Sequence, residues 1–273
     1  MKAEPKAKIL TLAPLLASLI FGVFCAFLLL TSPLEIYIII PFEEGIGSVG
    51  NAAYFVALVG VGAGFLYILV KRKNRRLINW IIGFALTTAF FTFSYMYLSA
   101  FFAKFIVYKM DALVLALAAL ITFMGDFAIF RNKSTAANVA ILGLGGALGA
   151  FLGISIPTLS TVLILSFLAV YDAFAVYHGP VGKIAHSGLD QLKGLSFYFR
   201  DIQMGLGDLT FYSMLSGHML SLGLNSCIAS IVGILAGCLL TFEIVEENEM
   251  FPGLPFPIFF GLAAGFAVMS VGF

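Results

Sequence analysis

Along the chain, long apolar runs alternate with short polar breaks. A helix that crosses the ~30 Å hydrocarbon core of a bilayer needs about 20 consecutive apolar residues. Nine segments meet that length to within a few residues: 9–30, 49–70, 77–99, 112–130, 136–156, 158–178, 202–222, 226–245 and 255–272. "KRKNRR" (71–76) closes the second, "RNKST" (131–135) separates the fourth from the fifth, and Pro157 marks a tight turn before the sixth. The pattern predicts an all-α polytopic membrane protein of nine transmembrane helices, forming a single membrane domain over 1–273. Residues 1–156 hold a five-helix scaffold. Residues 157–273 hold a four-helix part with a hydrophilic loop at 179–201. The first run is longer than the apolar stretch of a typical secretory signal and no small-residue cleavage site follows it, so it reads as a retained helix.

Charge then sets the orientation. With alternating spans, thirteen of the 15 Lys and Arg residues fall on the N-terminal side, and only Lys104 and Lys109 fall on the other. The positive-inside rule places the N-terminus and the loop 179–201 in the cytoplasm, and the C-terminus outside the cell membrane. Composition agrees: the chain is 61% hydrophobic and 11% charged, with mean hydropathy +1.06. A soluble domain carries roughly 25% charged residues. The net charge of +1 gives no reason to expect nucleic acid. Cys25, Cys227 and Cys238 lie in apolar runs and read as buried free thiols. Neither they nor His178, His186 and His218 are spaced as a metal motif, so no metal or cofactor is expected. The small residues of "GLGGALGAFLG" (143–153) predict close helix packing.

Four carboxylates inside the apolar runs need an explanation: Asp126, Asp172, Asp208 and Glu243. Asp126, five residues before Arg131, and Glu243, which leads into "EENE" (246–249), sit near cytoplasmic ends and read as interfacial acids. Asp172 lies six residues before the end of the sixth segment. Asp208 lies six residues after the start of the seventh. At 1.5 Å per residue, both carboxylates fall ~9 Å inside the cytoplasmic boundary on antiparallel helices. Acids at such a depth are costly and are functional candidates by default. Two neighbouring carboxyls share one proton. The ionised member can then take a proton from water while the protonated member polarises a peptide carbonyl. That is aspartic-protease chemistry. A proton or cation relay in a transporter, a silent binder of membrane helices, and a purely structural acid pair use the same arrangement and stay open on spacing alone.

Three motifs surround these acids: "VYDAFAVY" (170–177), "MGLGDLTFYSML" (204–215) and "FPGLPFPIFFGL" (251–262). Together they resemble the presenilin and signal-peptide-peptidase family of intramembrane aspartyl proteases of the Gly-x-Gly-Asp type. That family carries Tyr-Asp on its sixth helix, Gly-x-Gly-Asp on its seventh and Pro-Ala-Leu-Pro at its ninth. With its N-terminus inside and C-terminus outside, the chain resembles archaeal presenilin-like homologues. The resemblance implies an intramembrane endopeptidase that hydrolyses peptide bonds within transmembrane segments. It implies Asp172 and Asp208 as the catalytic pair, and Tyr171, Gly205, Leu206, Gly207, Pro252, Gly253, Leu254 and Pro255 as motif residues around the site. Gly253 departs from the family's alanine, a small-for-small change. Expected partners are transmembrane-helix substrates and membrane lipids, with a homo-oligomer left open. The stretch "LSFYFRDI" (195–202) alternates weakly and reads equally as a strand that docks substrate or as a plain lead into the seventh helix.

Overall fold

The computed structural model describes residues 11–72, 75–105, 111–131, 135–178, 194–199, 202–247 and 251–271. Among them are helices α1 (Ala13–Thr31), α2 (Ser48–Lys71), α3 (Arg75–Phe105), α4 (Asp111–Arg131), α5 (Thr135–Ser155) and α6 (Thr158–His178). A hairpin of β1 (Ser196–Phe199) and β2 (Ile202–Gly205) follows, and then α7 (Leu206–Leu222), α8 (Leu224–Glu247) and α9 (Pro255–Val271). Most of the cytoplasmic loop expected at 179–201, the basic residues Lys2, Lys6 and Lys8, and residues 248–249 of the acidic run lie outside the described residues.

Each apolar segment has become a helix, with one correction. The seventh starts at Leu206, not at 202, because residues 202–205 are extended and pair antiparallel with β1, Phe197 opposite Met204. Two reasons favour this. Gly205 and Gly207 are poor helix formers, and β1 offers the backbone another set of partners. The Leu206 N–H continues the pairing by donating to the Leu195 carbonyl at 2.8 Å. Over 195–202, residues 196–199 are a strand and residue 202 opens a second one, so the chain is extended there; a docking role for it is a proposal.

Among the described residues, α1–α6 and α8 are long and apolar enough to cross a membrane, and α9 is a shorter apolar helix. The 17-residue α7 is of another kind. Its residues from Leu209 to Met219 are almost all buried, including Thr210, Ser213, Ser216 and His218. It packs against α1, α5, α6, α8 and α9. Protein neighbours enclose most of it, so its surface can be polar.

Small residues bring α5 and α7 into backbone contact. A Cβ at Gly149 would collide with the Thr210 carbonyl, and one at Gly153 with the Met214 carbonyl. The stretch 143–153 therefore serves close packing, as its composition suggests. At the opposite end of the bundle from the hairpin, His218 Nδ1 meets the Gly153 carbonyl at 2.8 Å and its Nε2 meets Thr158 Oγ1 at 3.1 Å. The Leu159 N–H donates to Glu44 Oε1 at 2.9 Å, which caps the start of α6. Asn51 is bonded to both backbone groups of Phe42 and donates to Ser160 Oγ at 3.1 Å. These bonds fix the starting end of α6, the helix that carries Asp172. All three cysteines are free and buried.

Candidate active site

Asp172 stands near the end of α6 and Asp208 in the first turn of α7. Both carboxylates lie against one stretch of chain, residues 253–254. The third wall is the turn before α9. There Pro252 and Leu254 are buried, and Gly253 and Pro255 are half-buried. The Leu254 N–H donates to Asp172 Oδ2 at 2.9 Å, and the Gly253 amide faces the same carboxylate. A Cβ built on Gly253 would lie 3.1 Å from Asp208 Oδ2, so this glycine rests on the other acid. The turn thus touches both carboxylates.

The other motif residues divide. Gly205 caps α7 with extended backbone, and its amide faces the Asp208 carboxylate. Gly207 is exposed; a Cβ built on it would lie 3.9 Å from the Phe211 ring and within 4 Å of no atom of Asp172. Leu206 joins the hairpin to the helix, and its side chain packs on α5 at Gly145. Tyr171 adjoins Asp172 in sequence but reaches toward α2, where its hydroxyl would stand 3.5 Å from a Cβ on Gly60. It is not gathered into the cluster around the acids.

Tyr212 was not singled out from the sequence. Its ring is fully buried, its hydroxyl donates to the Gly253 carbonyl at 2.8 Å, and the Cys238 thiol lies against the same hydroxyl. The available signal was its spacing, four residues after Asp208 and therefore on the same helical face. Asp126 belongs elsewhere, to a groove between α3 and α4, where Thr87 Oγ1 donates to its Oδ2 at 2.7 Å. The nearby Arg131 does not pair with it but stands over the Phe127 ring, 5.6 Å from its centroid. A lateral groove of about 480 Å³ runs between α6 and α9, lined by Ala173, next to Asp172, and by Pro255, Phe256 and Phe259. Among the described residues, no group of three or more His, Cys, Asp or Glu side chains could hold a metal.

The chain that holds these two half-buried acids is similar to known proteins in sequence and in fold. The sequence profile described as "Signal-peptide peptidase, presenilin aspartyl protease" matches residues 17–185, well over half of the chain, and that described as "Presenilin" matches 186–271. No curated protein sequence matches. Two crystal forms of a presenilin family intramembrane aspartate protease share the fold. The C222 form has a TM-score of 0.66 and 20% identity, covering 95% of this chain and 100% of that one. The P2 form has a TM-score of 0.67 and 22% identity, covering 95% and 97%. The profile over α1–α6, the profile over the rest of the chain and the shared fold agree with the motifs, and the chain belongs to the signal-peptide peptidase and presenilin family of intramembrane aspartyl proteases.

Proposed function

We propose that Asp172 and Asp208 are the catalytic pair of this protease, and that Gly205 and the turn Pro252–Pro255 hold them in register. The observation that carries the assignment is the turn itself, which donates a hydrogen bond to Asp172 and rests Gly253 on Asp208. The pair holds one proton. The ionised carboxylate takes a proton from a water molecule, and the resulting hydroxide adds to the scissile carbonyl carbon. The protonated carboxyl donates its hydrogen bond to the carbonyl oxygen as charge develops there. Collapse of the tetrahedral intermediate breaks the C–N bond, and the proton first taken from water passes to the leaving nitrogen. Tyr171, Leu206 and Gly207 act as neighbours of this machinery, through packing and the strand-to-helix junction.

The substrate is a transmembrane helix of another protein. Its amides are hidden in internal hydrogen bonds, so it must be locally unwound before hydrolysis. The hairpin has two strands among the described residues, and an extended substrate segment adds beside β2 through main-chain hydrogen bonds. The groove between α6 and α9 gives a lateral approach from the bilayer. The basic residues support a cytoplasmic N-terminus and, with all nine helices spanning, an extracytoplasmic C-terminus. Residues 1–156 act as scaffold and 157–273 as the catalytic part. This is a division of chain, not of compact units, because α1 and α5 pack directly on α7.

The test is cleavage of a labelled transmembrane peptide by purified protein, beside Asp172→Asn and Asp208→Asn. Both variants should insert and fold yet cut nothing, since neither amide can alternate between acid and base. Normal turnover by either one would overturn the assignment. A relay or transport role for the acids would leave cleavage intact in at least one variant.

A further inference from the structure

Resting on the assignment of Asp172 and Asp208 as the catalytic pair, we infer that Tyr212 is a positioning residue: it clamps the Gly253–Leu254 peptide so that this peptide's N–H is held on Asp172. The Gly253 carbonyl and the Leu254 N–H are two ends of one planar trans peptide and point in opposite directions. The Tyr212 hydroxyl, on α7, holds the carbonyl end at 2.8 Å. Asp172 Oδ2, on α6, holds the amide end at 2.9 Å. A single peptide group is therefore strung between the two helices that carry the acids.

The sequence around it explains why a clamp is needed. The peptide joins Gly253 to Leu254 with Pro252 and Pro255 on either side. Each proline fixes its own φ and removes a backbone donor, so the turn has few bonds of its own to make. Glycine contributes the widest conformational freedom of any residue. Without a bond at its carbonyl, the Gly253–Leu254 peptide plane can rotate, and any rotation turns the Leu254 N–H away from Asp172. Tyr212 can supply the bond because it sits one helical turn beyond Asp208 and its ring is fixed by complete burial. The tyrosine thus acts on Asp172 across the site although it stands on the helix of Asp208.

The experiment is Tyr212→Phe, which keeps the ring and deletes only the donor, assayed against a labelled transmembrane peptide in proteoliposomes. A clamp predicts that kcat falls about tenfold or more, the size of one buried hydrogen bond lost where it orients a reacting group, while KM stays within about twofold. Incorporating 4-aminophenylalanine at position 212, which restores an N–H donor on the same ring, should recover most of that kcat. A residue that only fills space would give the opposite: Tyr212→Phe would cleave at the wild-type rate, and that result would overturn the inference. Equal slowing by phenylalanine and 4-aminophenylalanine, or failure of both to fold, would also overturn it, since the donor would then not be what matters. Failure of the underlying assignment is read separately, from residual cleavage by Asp172→Asn or Asp208→Asn in the same vesicles.

Discussion

Replacing Gly149 by alanine tests whether the packing of α5 on α7 sets the catalytic geometry. A methyl group there would collide with the Thr210 carbonyl and lie 2.6 Å from the Ser213 Cβ. Carbon atoms pack at ~3.5–4.0 Å, so the helices must separate by roughly 1 Å. Over-packing of this kind costs about 1–3 kcal/mol. Alanine returns ~1 kcal/mol of helix propensity relative to glycine, so the net loss of stability is modest, about 0–2 kcal/mol. Activity should suffer far more. Asp208 lies two residues before Thr210 on the same helix, and a displacement of α7 at Thr210 carries the carboxylate with it. A misplacement of ~1 Å at reacting groups costs about 10²-fold in rate.

Gly143→Ala is the matched control. It lies on the same helix, and a Cβ there would meet only Phe21 Cε1, at 3.9 Å, an ordinary contact. It gains the propensity without the clash and should cleave within about threefold of wild type. Initial cleavage rates of a transmembrane peptide, beside the unfolding midpoint of each variant in denaturing detergent, separate rate from stability. Wild-type cleavage by folded Gly149→Ala would refute the claim that this seam places Asp208.

Three other outcomes are expected. Cleavage plotted against pH should be bell-shaped, reporting two macroscopic constants of the coupled pair, and a flat profile over the acid range with folding intact would argue against a shared proton. Gly253→Ala should retain cleavage within a few-fold, because its Cβ would approach Asp208 Oδ2 at 3.1 Å and the turn need yield only a few tenths of an ångström, whereas Gly253→Val should abolish cleavage without loss of expression. Mass spectrometry of the first products should place initial cuts about 4–8 residues from the cytoplasmic edge of the substrate helix, from the ~9 Å depth of Asp172 and a 1.5 Å rise; cuts clustered in the outer half of the bilayer would contradict the proposed orientation.

Most of the helices were legible because lipid demands an apolar run from each helix it surrounds. The two acids were legible for the converse reason, since Asp172 and Asp208 stand where a carboxylate is costly. The hairpin was only half legible. Four residues per strand give too short an alternation, and β2 lies in a stretch that also continues the seventh apolar segment. The burial of α7 was hidden as well, because hydropathy cannot distinguish lipid neighbours from protein neighbours. Its serines, Thr210 and His218 were the trace of that burial. Tyr212 was unreadable as a partner because the carbonyl it holds lies 41 residues further on.

The two acids meet although α7 starts later than its apolar run suggests, because both carboxylates lie against the turn before α9. With the helix starting at Leu206, Asp208 lies only two residues inside it, not six. The strand before it is extended, at ~3.3 Å per residue, so a helical rise over 202–208 does not set the position of Asp208. Non-helical backbone at membrane depth is tolerated only where protein or water, not lipid, surrounds it. Two such stretches occur together: the end of β2 at Gly205, and the turn Pro252–Pro255. Both face the acids, with the Gly205 amide toward Asp208 and the Leu254 amide bonded to Asp172. The places where the helices stop are thus the places where backbone donors are free to point at carboxylates. On the proposed assignment, the same interruption that makes this region unfit for lipid is where water and an unwound peptide would reach the acids.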